Sequence, residues 1–169
     1  MKTQHMTVEQ VYVPNVVAVD HDIPLVTCAK MLHDDNVGSL VMTELRDGRC
    51  IPVGILTDRD ITIKIVAFSL DPRVFTARDI MAQPLVTACP EEDIVTVLAR
   101  MRDYGVRRVP VVAKDGSLAG ILSVDDIWET FAAEVSVLER YVLAKQSQMV
   151  LTRPPDRKPL GKRSLKNDR

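Results

Sequence analysis

Gly54-Ile55-Leu56-Thr57-Asp58-Arg59-Asp60-Ile61 returns later in the chain as Gly120-Ile121-Leu122-Ser123-Val124-Asp125-Asp126-Ile127. Gly, Ile, Leu, Asp and Ile recur in place, and Thr gives way to Ser. Each copy reads as a short apolar strand running into a helix, with a hydroxyl at the junction and a carboxylate three residues on. Alone, such a pair marks a helix start. The hydroxyl accepts a backbone N–H, the acid returns a hydrogen bond, and the acid suits the positive end of the helix dipole. Two copies in matching contexts instead point to a repeated supersecondary unit that aims two polar side chains at one place.

Working outward from the first copy, residues 16–19 form a short apolar run that predicts a buried strand. Leu25, Cys28, Ala29, Met31 and Leu32 recur at helical spacing over 24–35, with Pro24 suited to the first turn. A strand over 37–42, a turn at Asp47-Gly48 and a returning strand over 53–56 lead into the motif helix. Ile61, Ile65, Val66 and Phe68 are expected on that helix's apolar side. The second round repeats the order: Arg78-Asp79-Ile80-Met81, a leading strand over 85–87, a helix carrying Ile94, Val97, Leu98 and Met101, a strand over 106–112, a turn at Asp115-Gly116, and a strand over 118–122 into the second motif. A short helical start is expected over 7–11. Thr27 matches Thr96 and Val37 matches Val106 at an offset of 69, whereas Gly54 matches Gly120 at 66, so the first hairpin is three residues longer. The pattern predicts an α+β domain of two β-α-β-β-α repeats with internal pseudo-twofold symmetry, since neither half of about 60 residues buries much alone.

At 169 residues with 46% hydrophobic content, the chain supports one sizeable core. It has no apolar run long enough to span a membrane and no signal-peptide pattern in its first twenty residues, so a cytoplasmic location is expected. Cys28, Cys50 and Cys89 are odd in number and widely spaced, which fits reduced core thiols better than disulfides or zinc. His5, His21 and His33 lack a helical i, i+4 pair, no Cys has a His beside it in sequence, and no Walker-type loop is present. Metal, cysteine-based and phosphoryl-transfer chemistry are therefore not expected. Seven Lys or Arg against Asp156 and Asp168 give residues 152–169 a charge of +5 and leave −6 on the rest of the chain. An acidic body argues against nucleic-acid binding, and the tail over 151–169 is expected to be basic and disordered.

The paired G-h-h-[TS]-x-x-D strings (h, apolar), Asp79-Ile80-Met81, and Gly105-Val106-Arg107-Arg108-Val109-Pro110-Val111-Val112 resemble tandem CBS domains, the Bateman module, in a stand-alone bacterial type of protein. The resemblance covers residues 8–133, with repeats over 8–73 and 74–133 and a helical extension over 134–150. It implies a non-catalytic regulatory module without a cofactor. Such a module binds adenine nucleotides (AMP, ADP, ATP) or related adenosyl ligands such as S-adenosylmethionine or NAD in clefts between its repeats and signals occupancy to a partner protein. In that family the motif hydroxyl and Asp hold the ribose, which assigns Thr57, Asp60, Ser123 and Asp126 to this role. A carboxylate suits it because it can accept from both hydroxyls of a cis-diol.

The resemblance assigns phosphate to Arg107 or Arg108, facing Thr57 and Asp60, and places Thr87 and Ala88 beside the adenine. Strand alternation allows only one of the two arginines into the cleft. The first-repeat positions matching them are Gly38 and Ser39, so the Ser123/Asp126 cleft is expected to lack equivalent cations. Arg59 and Lys64 are lesser phosphate candidates. Ile127, Phe131, Val135, Leu138 and Val142 continue an apolar stripe along the last helix. That stripe suits either the chain's own body or a second copy, and the resemblance implies a flat homodimer. The rival expectations are a ligand-free dimeric interaction scaffold, which a nucleotide-dependent melting shift separates, and an enzyme with an unrecognised site.

Overall fold

The computed structural model describes the backbone of residues 6–151 and the side chains of residues 6–145. His5 and nearly all of the basic tail lie outside these residues. The chain divides into a unit ending at Phe131, which holds both repeats, and a second unit from Ala132.

In the first repeat β1 (Ala18–Asp20), α1 (Leu25–Asp34), β2 (Ser39–Arg46), β3 (Arg49–Thr57) and α2 (Asp58–Lys64) follow in order. β1 runs parallel to β2, and β2 antiparallel to β3. The hairpin turns at Asp47 and Gly48, both at positive φ (51° and 76°), as a tight two-residue connection requires. The short helix α3 (Ala77–Ile80) opens the second repeat, which goes on to α4 (Ile94–Tyr104), β4 (Arg108–Val112), β5 (Leu118–Ser123) and α5 (Val124–Leu151). β4 and β5 are antiparallel. The leading strand expected over 85–87 contracts to one parallel bridge, Ala88 to Val111. Pro84 and Pro90 flank it, and neither can donate to a ladder. That bridge is the counterpart, at the offset of 69, of Val19 paired with Met42. The strand slips after Met42 and after Val111 fall on matching positions too.

The segments that open the two repeats exchange cores. Val8 and Val11, from the start of the chain, are buried with Ile94, Val97, Val109 and Leu122 of the second repeat. Ala77, Ile80 and Met81 are buried with Leu25, Leu40, Met42 and Leu56 of the first. Each repeat thus completes the other's apolar core, so the two fold as one body.

The exchange explains the glycine that opens each motif copy. Val13 bridges Ile121 and Ala82 bridges Ile55, so each crossing segment passes directly over the other repeat's last strand. A Cβ on Gly120 would lie 2.3 Å from the Val13 carbonyl oxygen and 2.6 Å from the Tyr12 ring; on Gly54 it would lie 2.4 Å from the Met81 sulfur. Gly120→Ala is therefore expected to cost about 1–3 kcal/mol, because a backbone carbonyl must move. Gly54→Ala should cost less, because the flexible Met81 side chain can swing aside. Urea unfolding of both variants tests this, and equal losses would contradict it.

Two further expectations need correction. The motif helix α2 stops at Lys64, and 66–68 form a 3-10 turn ended by left-handed Ser69. Ile65 is therefore buried while Val66 and Phe68 are exposed. Of the three cysteines only Cys28 lies in the core; Cys50 and Cys89 are exposed. Burial pushes the Cys28 thiol up, away from the reactive thiolate form. In the second unit Val135, Leu138 and Tyr141 are exposed along α5 (62%, 64% and 60%).

Candidate functional site

At both motif copies the hydroxyl and the carboxylate form a closed cap. The Thr57 hydroxyl donates to Asp60 Oδ2 at 2.6 Å, the Thr57 N–H donates to the same oxygen at 3.0 Å, and the Asp60 N–H donates back to Thr57 Oγ1 at 3.1 Å. Ser123 and Asp126 repeat the set: the Ser123 hydroxyl and its N–H (3.2 Å) donate to Asp126 Oδ2, and the Asp126 N–H donates to Ser123 Oγ at 3.1 Å. Strand backbone ahead of the hydroxyl and helix behind it hold this geometry, as a capping box does.

The second carboxylate oxygen separates the copies. Asp60 Oδ1 pairs with Lys64 Nζ at 2.9 Å, and the same ammonium donates to the Ile80 carbonyl at 2.7 Å. The first carboxylate thereby joins α2 to the crossing segment. Thr130 stands in the second copy where the first has Lys64. Among the described residues Asp126 Oδ1 has no hydrogen-bond or ion-pair partner, which leaves it free to accept from a ligand. Asp60→Ala is accordingly expected to lower stability by about 1 kcal/mol through the lost cap and ion pair. The midpoint of urea unfolding reads this; an unchanged midpoint would remove the clamp.

Ser123 and Asp126 border a cavity of 290 Å³. Val17, Gly38 and Ser39 of the first repeat form one wall; Arg108, Ile121 and Asp125 of the second form another, and Val13, Asn15 and Val16 of the crossing segment also line it. The volume sits near the lower end of small-ligand sites, about 300–1,000 Å³. Apolar walls from Val16, Val17 and Ile121 with a few convergent polar groups suit a ligand that has a flat apolar part and a hydroxylated part.

The arginines depart from expectation. Arg108 lines this cavity, with Ser123 and Asp126, and its guanidinium lies within 3.5 Å of the place a Cβ on Gly38 would take. Arg107 is exposed and pairs with Asp125 at 2.8 Å, while Arg108 Nη2 lies 3.7 Å from the same carboxylate. Asp125 draws both guanidinium groups toward the second motif, so the cleft expected to lack cations holds one. Ala88 is also corrected: it is 1% exposed in the second core, with its N–H on Pro110 and its carbonyl on Val112. Its side chain is packed in that core and does not line the cavity. Thr87 is half-buried, does not line the cavity, and its carbonyl accepts from Arg100 Nη1 at 2.7 Å.

Asn15, Val16 and Asp125 were not anticipated. The exchange of crossing segments, which brings in the first two, cannot be read locally. For Asp125 a signal exists, because the motif alignment sets it against Arg59. His21 is buried, with Nδ1 3.2 Å from the Thr43 carbonyl and Nε2 on Arg78. No cluster of three potential metal ligands occurs among the described residues, and none of their helices is long and apolar enough to cross a membrane.

The CBS domain profile matches residues 8–67 and 77–127, which is both repeats and more than half of the chain. The chain belongs to the CBS-domain family. Its tandem CBS fold is shared with the CBS domain pair of protein MJ0100, solved in complex with 5′-methylthioadenosine and S-adenosyl-L-methionine. That pair superimposes with a TM-score of 0.65 at 25% identity, covering 77% of this chain and 98% of the other. Among curated CBS relatives, hypoxic response protein 1 of Mycobacterium tuberculosis is 33% identical over 112 residues, 66% of this chain and 76% of its own. An uncharacterised Methanopyrus kandleri protein, MK0525, is 32% identical over 124 residues, 73% of this chain; the match spans only 62% of that protein.

Proposed function

We propose that this CBS pair is a non-catalytic regulatory module that binds an adenosyl ligand in the Ser123/Asp126 cavity and signals occupancy to a partner protein. The observation that carries the proposal is the free Oδ1 of Asp126 at the wall of a cavity built by both repeats and the crossing segment. Asp126 and Ser123 hold the ribose hydroxyls, the apolar walls from Val16, Val17 and Ile121 take the base, and Arg108 stands at the 5′ end. Because the lining comes from both repeats, a ligand bridges them, and filling the cavity stiffens the joint between them. The adenosyl ligands bound by the MJ0100 pair support the choice of ligand class. No cofactor is required, and the work of binding is regulatory. The module acts in the cytoplasm as a homodimer, with the exposed apolar side chains of α5 as contact surface.

Adenosine is expected to raise the melting temperature of the wild type and to leave Asp126→Ala unmoved. A wild type indifferent to adenosine and to S-adenosylmethionine at millimolar concentration would favour a ligand-free scaffold instead.

A further inference from the structure

We infer that the Ser123/Asp126 cavity selects a nucleoside whose 5′ substituent carries no negative charge, and that Asp125 sets this preference. The inference deepens the proposed function and rests on it.

Aligned at an offset of 66, the two motif copies differ in charge at Asp58/Val124, Arg59/Asp125, Ile63/Glu129 and Lys64/Thr130, and of these Asp125 lines the cavity while Lys64 pairs with the first motif carboxylate. The first motif carboxylate therefore has an ammonium 2.9 Å away. The second has at the same helical step a neutral hydroxyl, which donates to the Asp126 carbonyl at 2.9 Å. The charged groups lining the cavity are Arg108, Asp125 and Asp126, one cation against two anions. That cation already faces Asp125 at 3.7 Å, and Arg107, the next nearest guanidinium, is held by Asp125 at 2.8 Å. A 5′-phosphate entering beside Arg108 would have to draw it from Asp125 and would then stand near two carboxylates, Asp126 and an Asp125 left with Arg107 alone. A neutral or cationic 5′ group meets neither obstacle. Asp126 is half-buried at the cavity wall, while the Asp125 side chain is 53% exposed, so solvent screens its field and keeps the discrimination modest.

The test compares adenosine with AMP, which differ only in the phosphate, by calorimetry on the full chain. In the wild type AMP is expected to bind about tenfold more weakly than adenosine, an interaction of the size two like charges several ångströms apart produce near a protein surface. Asp125→Asn removes the charge at constant shape and should shrink that ratio toward one. Asp125→Arg installs the first copy's residue and should make AMP the tighter ligand. The inference is overturned by a wild type that binds AMP as tightly as adenosine, or by a ratio that does not follow the charge at residue 125. If adenosine binding depends on Asp126 yet the ratio ignores residue 125, only this inference falls. If neither ligand binds, or if binding survives Asp126→Ala, the proposed function falls and takes the inference with it.

Discussion

Asp126→Ala is expected to weaken adenosine binding about ten- to a hundredfold, whereas Asp60→Ala should leave it within about twofold of the wild type. The first figure follows from losing charge-assisted hydrogen bonds worth about 1.5–3 kcal/mol. The second follows from the fold: Asp60 is occupied by Thr57 on one oxygen and Lys64 on the other, and neither residue lines the Ser123/Asp126 cavity. Calorimetry with adenosine on the three proteins checks both figures. Comparable losses in the two variants would mean that both motif carboxylates hold ligand and that the Lys64 pair yields to it. Asp126→Ala also removes a helix cap, so its melting temperature without ligand should fall modestly. Affinity must therefore be measured well below that temperature.

The second large effect concerns assembly. Val135→Glu is expected to raise the dimer dissociation constant by about a hundredfold or more, because a twofold contact places the new charge in the interface twice and each desolvated carboxylate costs several kcal/mol. Val135, Leu138 and Tyr141 are each more than half exposed on α5, a run of apolar surface at helical spacing that association would cover. A chain ending at Thr152 should dimerise as the full chain does, since the residues beyond it are chiefly polar and basic. Sedimentation across a concentration series separates the cases. A wild type that stays monomeric rules out the dimer, and a Val135→Glu protein that stays dimeric removes α5 from the interface.

The repeat was legible because its signal is local. A hydroxyl and an acid three residues apart at the end of an apolar run specify a capped strand-to-helix junction, and Asp47-Gly48 specifies a hairpin. The exchange of Val8 and Val11 for Ala77, Ile80 and Met81 was not legible, since it pairs segments with cores far away in sequence. The cause of the motif glycines followed from it and was hidden with it. The length of α2 was misjudged because Val66 and Phe68 keep a helical spacing that Ser69, in left-handed backbone, ends. At the site, type and spacing single out the four motif residues as capped junctions, and the family resemblance is what assigns them the ribose. Which carboxylate remains open depends on Lys64 reaching back to Asp60, and Arg108, which the family resemblance pairs with Thr57 and Asp60, lines the Ser123/Asp126 cavity 3.7 Å from Asp125. Its alignment with Arg59 was visible in the sequence.

The location of the ligand is best tested by following backbone amide resonances while adenosine is titrated into the full-length wild-type chain. Binding in the Ser123/Asp126 cavity predicts the largest shifts at Val17, Gly38, Ser39, Ile121, Ser123 and Asp126, with Thr57 and Asp60 little changed. Shifts centred on Thr57, Asp60 and Ile61, with the residues around Ser123 unmoved, would contradict it.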